Sequence, residues 1–141
     1  MSSDALIREW FQEVWVKGDE SAIDRLMHPD ARVHGLSGDA LRGPAAFKPY
    51  FRVMRDALGD LNIVIERVVV DGEWCAALCH ITAKHTGHAL GGQPTNRPLK
   101  FHGITMTRAQ DGRIVEGWNA FDFLSMYQQI GWLSNPVLPP V

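Results

Sequence analysis

Apolar residues recur at three- and four-residue intervals through the first part of the chain, and alternate with other residues through most of the rest. The first spacing is helical and the second is that of strands. Residues 4–17, "DALIREWFQEVWVK", put Leu6, Ile7, Trp10, Phe11, Val14 and Trp15 on one broad face. That predicts a helix, with Asp4 as its cap and Gly18 as its stop. "ESAIDRLM", 20–27, predicts a second short helix that ends at His28-Pro29-Asp30. "ARVHGL" reads as a short strand. "GPAAFKPYFRVMRDAL", 43–58, predicts a third helix. Pro44 suits its first turn, and Pro49 asks for a kink or a later start.

From residue 61 the strand pattern takes over. "LNIVIERVVV" and "EWCAALCHITAKHTG" flank the hairpin signal Asp71-Gly72. A Gly/Pro/Asn loop spans 88–98. "LKFHGITMTRAQ" and "RIVEGWNAFDF" flank a second turn, Asp111-Gly112. "LSMYQQIGWL" predicts a last short helix, and the Pro-rich tail "SNPVLPPV" predicts no regular structure. Helices followed by antiparallel strands on short turns give an α+β order. No repeat or linker divides the chain, so one domain over 1–141 is expected.

Composition narrows the function classes. Hydrophobic residues make up 45% and charged residues 21%, which is ordinary globular usage. A net charge of -2 makes no electrostatic case for nucleic acid or an anionic membrane as partner. No apolar run approaches the ~18 residues of a membrane span. "MSSDALIREW" has no basic region followed by an apolar run, so no signal peptide is expected and a cytoplasmic location is. Cys75 and Cys79, four apart on one strand, would lie ~13 Å apart and are expected as small buried hydrophobes, not as a bridge.

Strand alternation sorts the polar candidates by face. On the last strand Ile114, Glu116, Trp118, Ala120 and Asp122 share one face, and Val115, Gly117, Asn119, Phe121 and Phe123 the other. On the strand before it, Lys100, His102, Ile104 and Met106 oppose Phe101, Gly103, Thr105 and Thr107. On the long strand Trp74, His80 and Lys84 oppose Cys75, Cys79 and His85. Neither face is plainly solvated. Polar groups among apolar ones on a helix-covered sheet suggest a curved sheet closing over a cavity.

Residues 84–131 resemble the SnoaL-like polyketide cyclase family of the nuclear transport factor two-like superfamily. The resemblance rests on His85 and Gly87, then Gly91, Gly92, Pro94 and Thr95. It continues through Arg108, Asp111, Gly112, Arg113, Ile114, Glu116 and Trp118 to Asp122, and ends at Gln129, Ile130 and Gly131. Lys84 stands where the family usually has Thr, and Asn96 where Gly often follows the Pro-Thr pair. The resemblance implies a cone-shaped α+β barrel, with helices packed in a strongly curved antiparallel sheet enclosing a cavity. It implies a homodimer or higher homo-oligomer packed through the outer sheet face. It also implies ring closure by aldol condensation, with an aspartate as acid/base and neither metal nor cofactor.

Asp122 matches the family's acid/base aspartate, and a carboxyl in an apolar pocket has its pKa raised towards the range useful for proton transfer. It equally suits the N-cap of the last helix. His102 is the second catalytic candidate, as a hydrogen-bond donor to substrate oxygen or a partner of Asp122; a satisfied core histidine is the other possibility. His85 matches a family position, but also suits a structural bond to the loop. His80 and His34 are further substrate-binding candidates. Trp118 is expected in the cavity wall or at an interface, and Trp15 and Phe51 are expected to line or plug the cavity. Asn119 joins the set only if a bulge turns it towards Asp122.

Six histidines raise the question of a metal. None pairs with an acid at helical i,i+4 spacing, and His80 and His85 fall on opposite strand faces, so no metal site is expected. No phosphate loop, dinucleotide fingerprint or nucleophile elbow occurs. The Asp-Arg-Asp set that an epoxide hydrolase of this superfamily would need is not evident. The expected function is cofactor-independent acid/base chemistry on a small hydrophobic oxygenated substrate, ring closure or a related isomerisation. The alternative is a binding or accessory protein of the same fold without turnover.

Overall fold

A computed structural model describes residues 1–36 and 38–134. Ser37 and the tail from 135, with Val137 and Leu138, lie outside the described residues. The helices are α1 (Ser3–Glu9), continued by a π-helical segment (Trp10–Val16), α2 (Ser21–Leu26), α3 (Gly43–Ala57) and α4 (Phe123–Ile130). The strands are β1 (Met27–His34), β2 (Leu41–Arg42), β3 (Leu58–Asp71), β4 (Trp74–His85), β5 (Pro98–Gln110) and β6 (Arg113–Phe121). They form one curved sheet in the order β2-β1-β6-β5-β4-β3. The α+β architecture is therefore as expected, with one difference in topology: β1 runs parallel to β6.

The turns obey their residues. Asp111 and Gly112 both have positive φ, 52° and 74°, as a two-residue type I′ hairpin requires. At the first helix the cap is Ser2, whose hydroxyl accepts from Ala5 N, and not Asp4. The predicted single α-helix over 4–17 changes character at Trp10, where Lys17 N donates to Gln12 O five residues back. Packing supplies the reason. Trp10 and Trp15 both touch Phe47, at ring separations of 5.3 and 6.0 Å. On an α-helix of 3.6 residues per turn they would point about 140° apart. The wider π turn brings them to one side.

Pro49 does not break α3. The carbonyl its missing N–H would serve belongs to Ala45, an exposed residue in the first turn of the helix. The apolar face of α3 then lays Phe47, Phe51 and Met54 against the concave side of the sheet, where Ile81, Phe101 and Ile114 complete one core. Cys75 and Cys79 are free and buried there. Burial, with the Glu66 charge adding to it, pushes the Cys79 thiol up to about 12.

Gly103 shows how tightly β5 and β6 meet. Any Cβ there would run into the ring of Phe121, its register partner. Past the end of β6, Gln129 of α4 extends the ladder along β5: its side chain accepts from Lys100 N and donates to Lys100 O, both at 2.8 Å. Among the described residues no helix is long and apolar enough to cross a membrane.

Candidate functional site

The concave side of the sheet and the helices leave an apolar pocket with about 700 Å³ of empty space, solvent at its mouth included. Trp10, Phe11 and Trp15 wall it on the helical side, and Phe47 and Tyr50 come from α3. Phe121 and Phe123 close the side next to α4. Burial pushes the Tyr50 phenol above its ordinary value. Among the described residues, no carboxylate or imidazole lines this pocket.

Its polar groups are concentrated on two strands. Thr105 and Thr107 of β5 and Asn119 of β6 face inwards. Thr105 and Asn119 are direct register partners, and the Thr105 hydroxyl donates to Asn119 Oδ1 at 2.8 Å. Asn119 Nδ2 donates to His34 O at 3.0 Å. A carbonyl can only accept, so this bond fixes which end of the amide is nitrogen. Gly35 makes room for it: at φ 83° it lies against the Asn119 carbonyl, where a Cβ would collide. Asn119 is thus held at both ends and keeps one N–H hydrogen free of these bonds.

A bulge puts it there. Ala109 pairs with Ile114, but Arg108 pairs with Glu116, so Val115 is an extra residue in β6. Beyond it Gly117, Asn119, Phe121 and Phe123 face the pocket.

The same bulge turns Asp122 and Trp118 away from the pocket, and the histidine candidates on β1, β4 and β5 lie outside it as well. Asp122 is exposed and outside the pocket. Its carboxylate accepts from Ser125 N at 3.0 Å and caps α4, while its backbone N–H donates to His102 O. His102 and His80 are cross-strand partners on the outer face of the sheet. His34 also faces out, stacked on Trp118 at 3.8 Å and bonded through Nε2 to Glu116. Trp118 is half exposed and lines no part of the pocket. Phe51 is core behind the wall, packed on Trp15 at 5.4 Å. Of the candidate set, Trp15 and Asn119 line the pocket. Thr105 and Thr107 were missed. Their signal was shared parity with Phe101 and Gly103, the apolar side of β5.

Asp122→Ala is expected to lower stability by about 1 kcal/mol through the lost cap. Asp122→Asn, which caps as well, should leave it within a few tenths. Urea denaturation of the three proteins checks both. Equal stability of Asp122→Ala and the parent would remove the capping role.

His85 is fully buried, away from the pocket, and fastens the 86–97 loop. Its Nδ1 accepts from Thr95 N at 3.2 Å, so the proton of the neutral ring sits on Nε2, which is buried with no hydrogen-bond partner among the described residues, while Trp132 packs edge-on to the ring. Burial, helped by the His88 charge, lowers its pKa from the ordinary value. The unfolded chain then binds a proton that the folded chain refuses. Stability is full above about pH 6.5, the unfolded value, and declines as pH falls towards the lower folded value. His85→Gln should flatten this part of the curve in urea midpoints taken from pH 5 to 8. Parallel curves for both proteins would contradict it.

The comparisons with known proteins fit this geometry. The family model for SnoaL-like polyketide cyclases matches residues 5–130. This chain belongs to the SnoaL-like polyketide cyclase family. Nogalonic acid methyl ester cyclase of Streptomyces nogalater is 26% identical over 120 residues, covering 81% of this chain and 87% of the relative. A candidate SnoaL-like polyketide cyclase from Jannaschia sp. CCS1 superposes with a TM-score of 0.84 at 22% identity, over 94% of this chain and 93% of the other. IdmH of Streptomyces antibioticus, a candidate polyketide cyclase, gives 0.80 at 25% identity, over 93% and 99%. An epoxide hydrolase from M. tuberculosis shares the fold alone, at 16% identity and a TM-score of 0.69, over 91% and 88%.

Proposed function

We propose that this chain is a cyclase-type enzyme that holds a hydrophobic, oxygenated, polyketide-like molecule in the pocket and polarises one of its carbonyl oxygens with Asn119. The observation that carries this reading is the inward Thr105–Asn119 pair on an otherwise apolar wall. Such a site binds apolar surface generally and orients it through few polar contacts.

Ring closure of the aldol type moves a proton from a carbon beside a carbonyl and forms a carbon–carbon bond to a second carbonyl. A proton ends on the new alkoxide. Atoms balance without an oxidant or a leaving group, so the product is an isomer of the substrate. Negative charge gathers on the carbonyl oxygen as the first proton leaves. A fixed N–H aimed at that oxygen is worth ~10²–10³ in rate. Hydrogens flanked by two carbonyls, common in polyketide chains, are acidic enough to pass to water at the pocket mouth once the oxygen is polarised. Asp122 and His102 take no part in this scheme, because both stand outside the pocket wall.

The relative that acts on nogalonic acid methyl ester supplies a probe of the right class. The purified chain is incubated with that ester and the mixture followed by chromatography and mass spectrometry. A closed-ring isomer of unchanged mass, forming faster than without protein, supports the reading. Trp10 and Trp15 line the pocket, so their fluorescence reports occupancy separately. Occupancy without conversion, here and across related β-keto esters, would favour a binding protein.

A further inference from the structure

A second constellation lies on the opposite side of the sheet. His80 of β4 and His102 of β5 are register partners, and Nδ1 of the first is 3.1 Å from Nε2 of the second. Glu66 Oε1 of β3 lies 3.4 Å from His102 Nε2 and 3.8 Å from His80 Nδ1. The ladder explains how the acid arrives. Val64 pairs with His80 and Ile65 with Cys79, but Leu78 pairs with Arg67. Glu66 is left by a bulge without a partner across the ladder, and alternation from Val64 keeps it on the outer side. Bulges commonly serve to re-aim a side chain.

We propose that Glu66, His80 and His102 form a binding site for a divalent first-row transition cation of the zinc class, on the sheet face turned away from the pocket. Ligand atoms about 2.0–2.1 Å from a tetrahedral zinc ion stand about 3.3 Å from one another. The three separations here are 3.1, 3.4 and 3.8 Å, so a cation at the centre needs only small side-chain adjustments. Two imidazoles and one carboxylate suit zinc or its neighbours and not magnesium or calcium, which take oxygen shells. Without a cation, a hydrogen bond between the rings needs a neutral acceptor nitrogen, the form in which imidazole binds metal. Glu66 and His102 are exposed, so the fourth position opens to water. Such an ion would tie β3, β4 and β5 together.

The test uses the tag-free chain, stripped with a chelator and titrated with Zn²⁺ alone in a calorimeter. One ion per chain and a raised Tm are expected, with the absorption bands of four-coordinate Co²⁺ when cobalt replaces zinc. Glu66→Gln and His102→Ala should each weaken binding by at least about tenfold, the loss that even an outer-shell partner causes. In the unsubstituted protein Co²⁺ should shift the ring resonances of His80 and His102, which reads the site even if a variant misfolds. No saturable binding at millimolar Zn²⁺, or binding unchanged in His102→Ala, would overturn the proposal.

Discussion

Asn119→Ala is expected to lower kcat/KM for ring closure by about 10²–10³ while leaving the fold in place. The argument is geometric. Asn119 is clamped in the pocket wall between the Thr105 hydroxyl and the His34 carbonyl, so in the proposed scheme its remaining N–H serves a carbonyl oxygen that gains charge without rearrangement of the amide. A donor that needs no reorganisation contributes to the transition state more than to substrate binding, so the loss should fall on kcat. Thr105→Val, which releases one end of the clamp, should fall between Ala and the parent. Steady-state kinetics beside a thermal melt separate activity from folding. Activity of Asn119→Ala within twofold of the parent would remove Asn119 from the chemistry.

Phe47→Ala should cost about 3–5 kcal/mol, a large part of the total stability of a domain of this size. Phe47 is fully buried and meets the rings of Trp10, Trp15 and Tyr50 at 5.3, 6.0 and 5.9 Å. Its removal deletes the residue around which the π segment is arranged and opens the pocket wall at the same point. Phe47→Leu, which keeps much of the volume, should cost well under half as much. Urea denaturation gives both values. A loss below about 1 kcal/mol for Phe47→Ala would mean that the helices collapse into the gap.

Much of the fold was written plainly in the chain. Period and turn chemistry located every α-helix and every strand longer than two residues, because each of these signals acts locally. The π segment was not legible, since Phe47, thirty residues away from it in sequence, decides it. The parallel pairing of β1 with β6 was equally hidden, because pairing partners depend on the whole sheet.

The site was half legible. Alternation separated Asn119 from Asp122 correctly, but could not say which of the two faces in. A straight count back from the Asp111-Gly112 turn, where Ala109 pairs with Ile114, would set Thr105 against Trp118 and turn Asp122 inwards with Phe101. The single extra residue Val115 moves the register by one, and Asn119 takes that place instead. One bulge therefore exchanges a carboxylic acid for an amide at the pocket wall. Asp122 is left to its capping role, a role its position before the last helix had also suggested.

Side-chain amide NMR addresses the pocket chemistry most directly. Nitrogen-labelled protein is titrated with nogalonic acid methyl ester or a slowly reacting analogue, and the Asn119 NH₂ pair is followed together with the rings of His34, His80 and His102. A ligand oxygen seated on Asn119 should move that amide pair and leave the outer-face rings unchanged. Shifts at those rings with the Asn119 amide unmoved would place the substrate on the other side of the sheet.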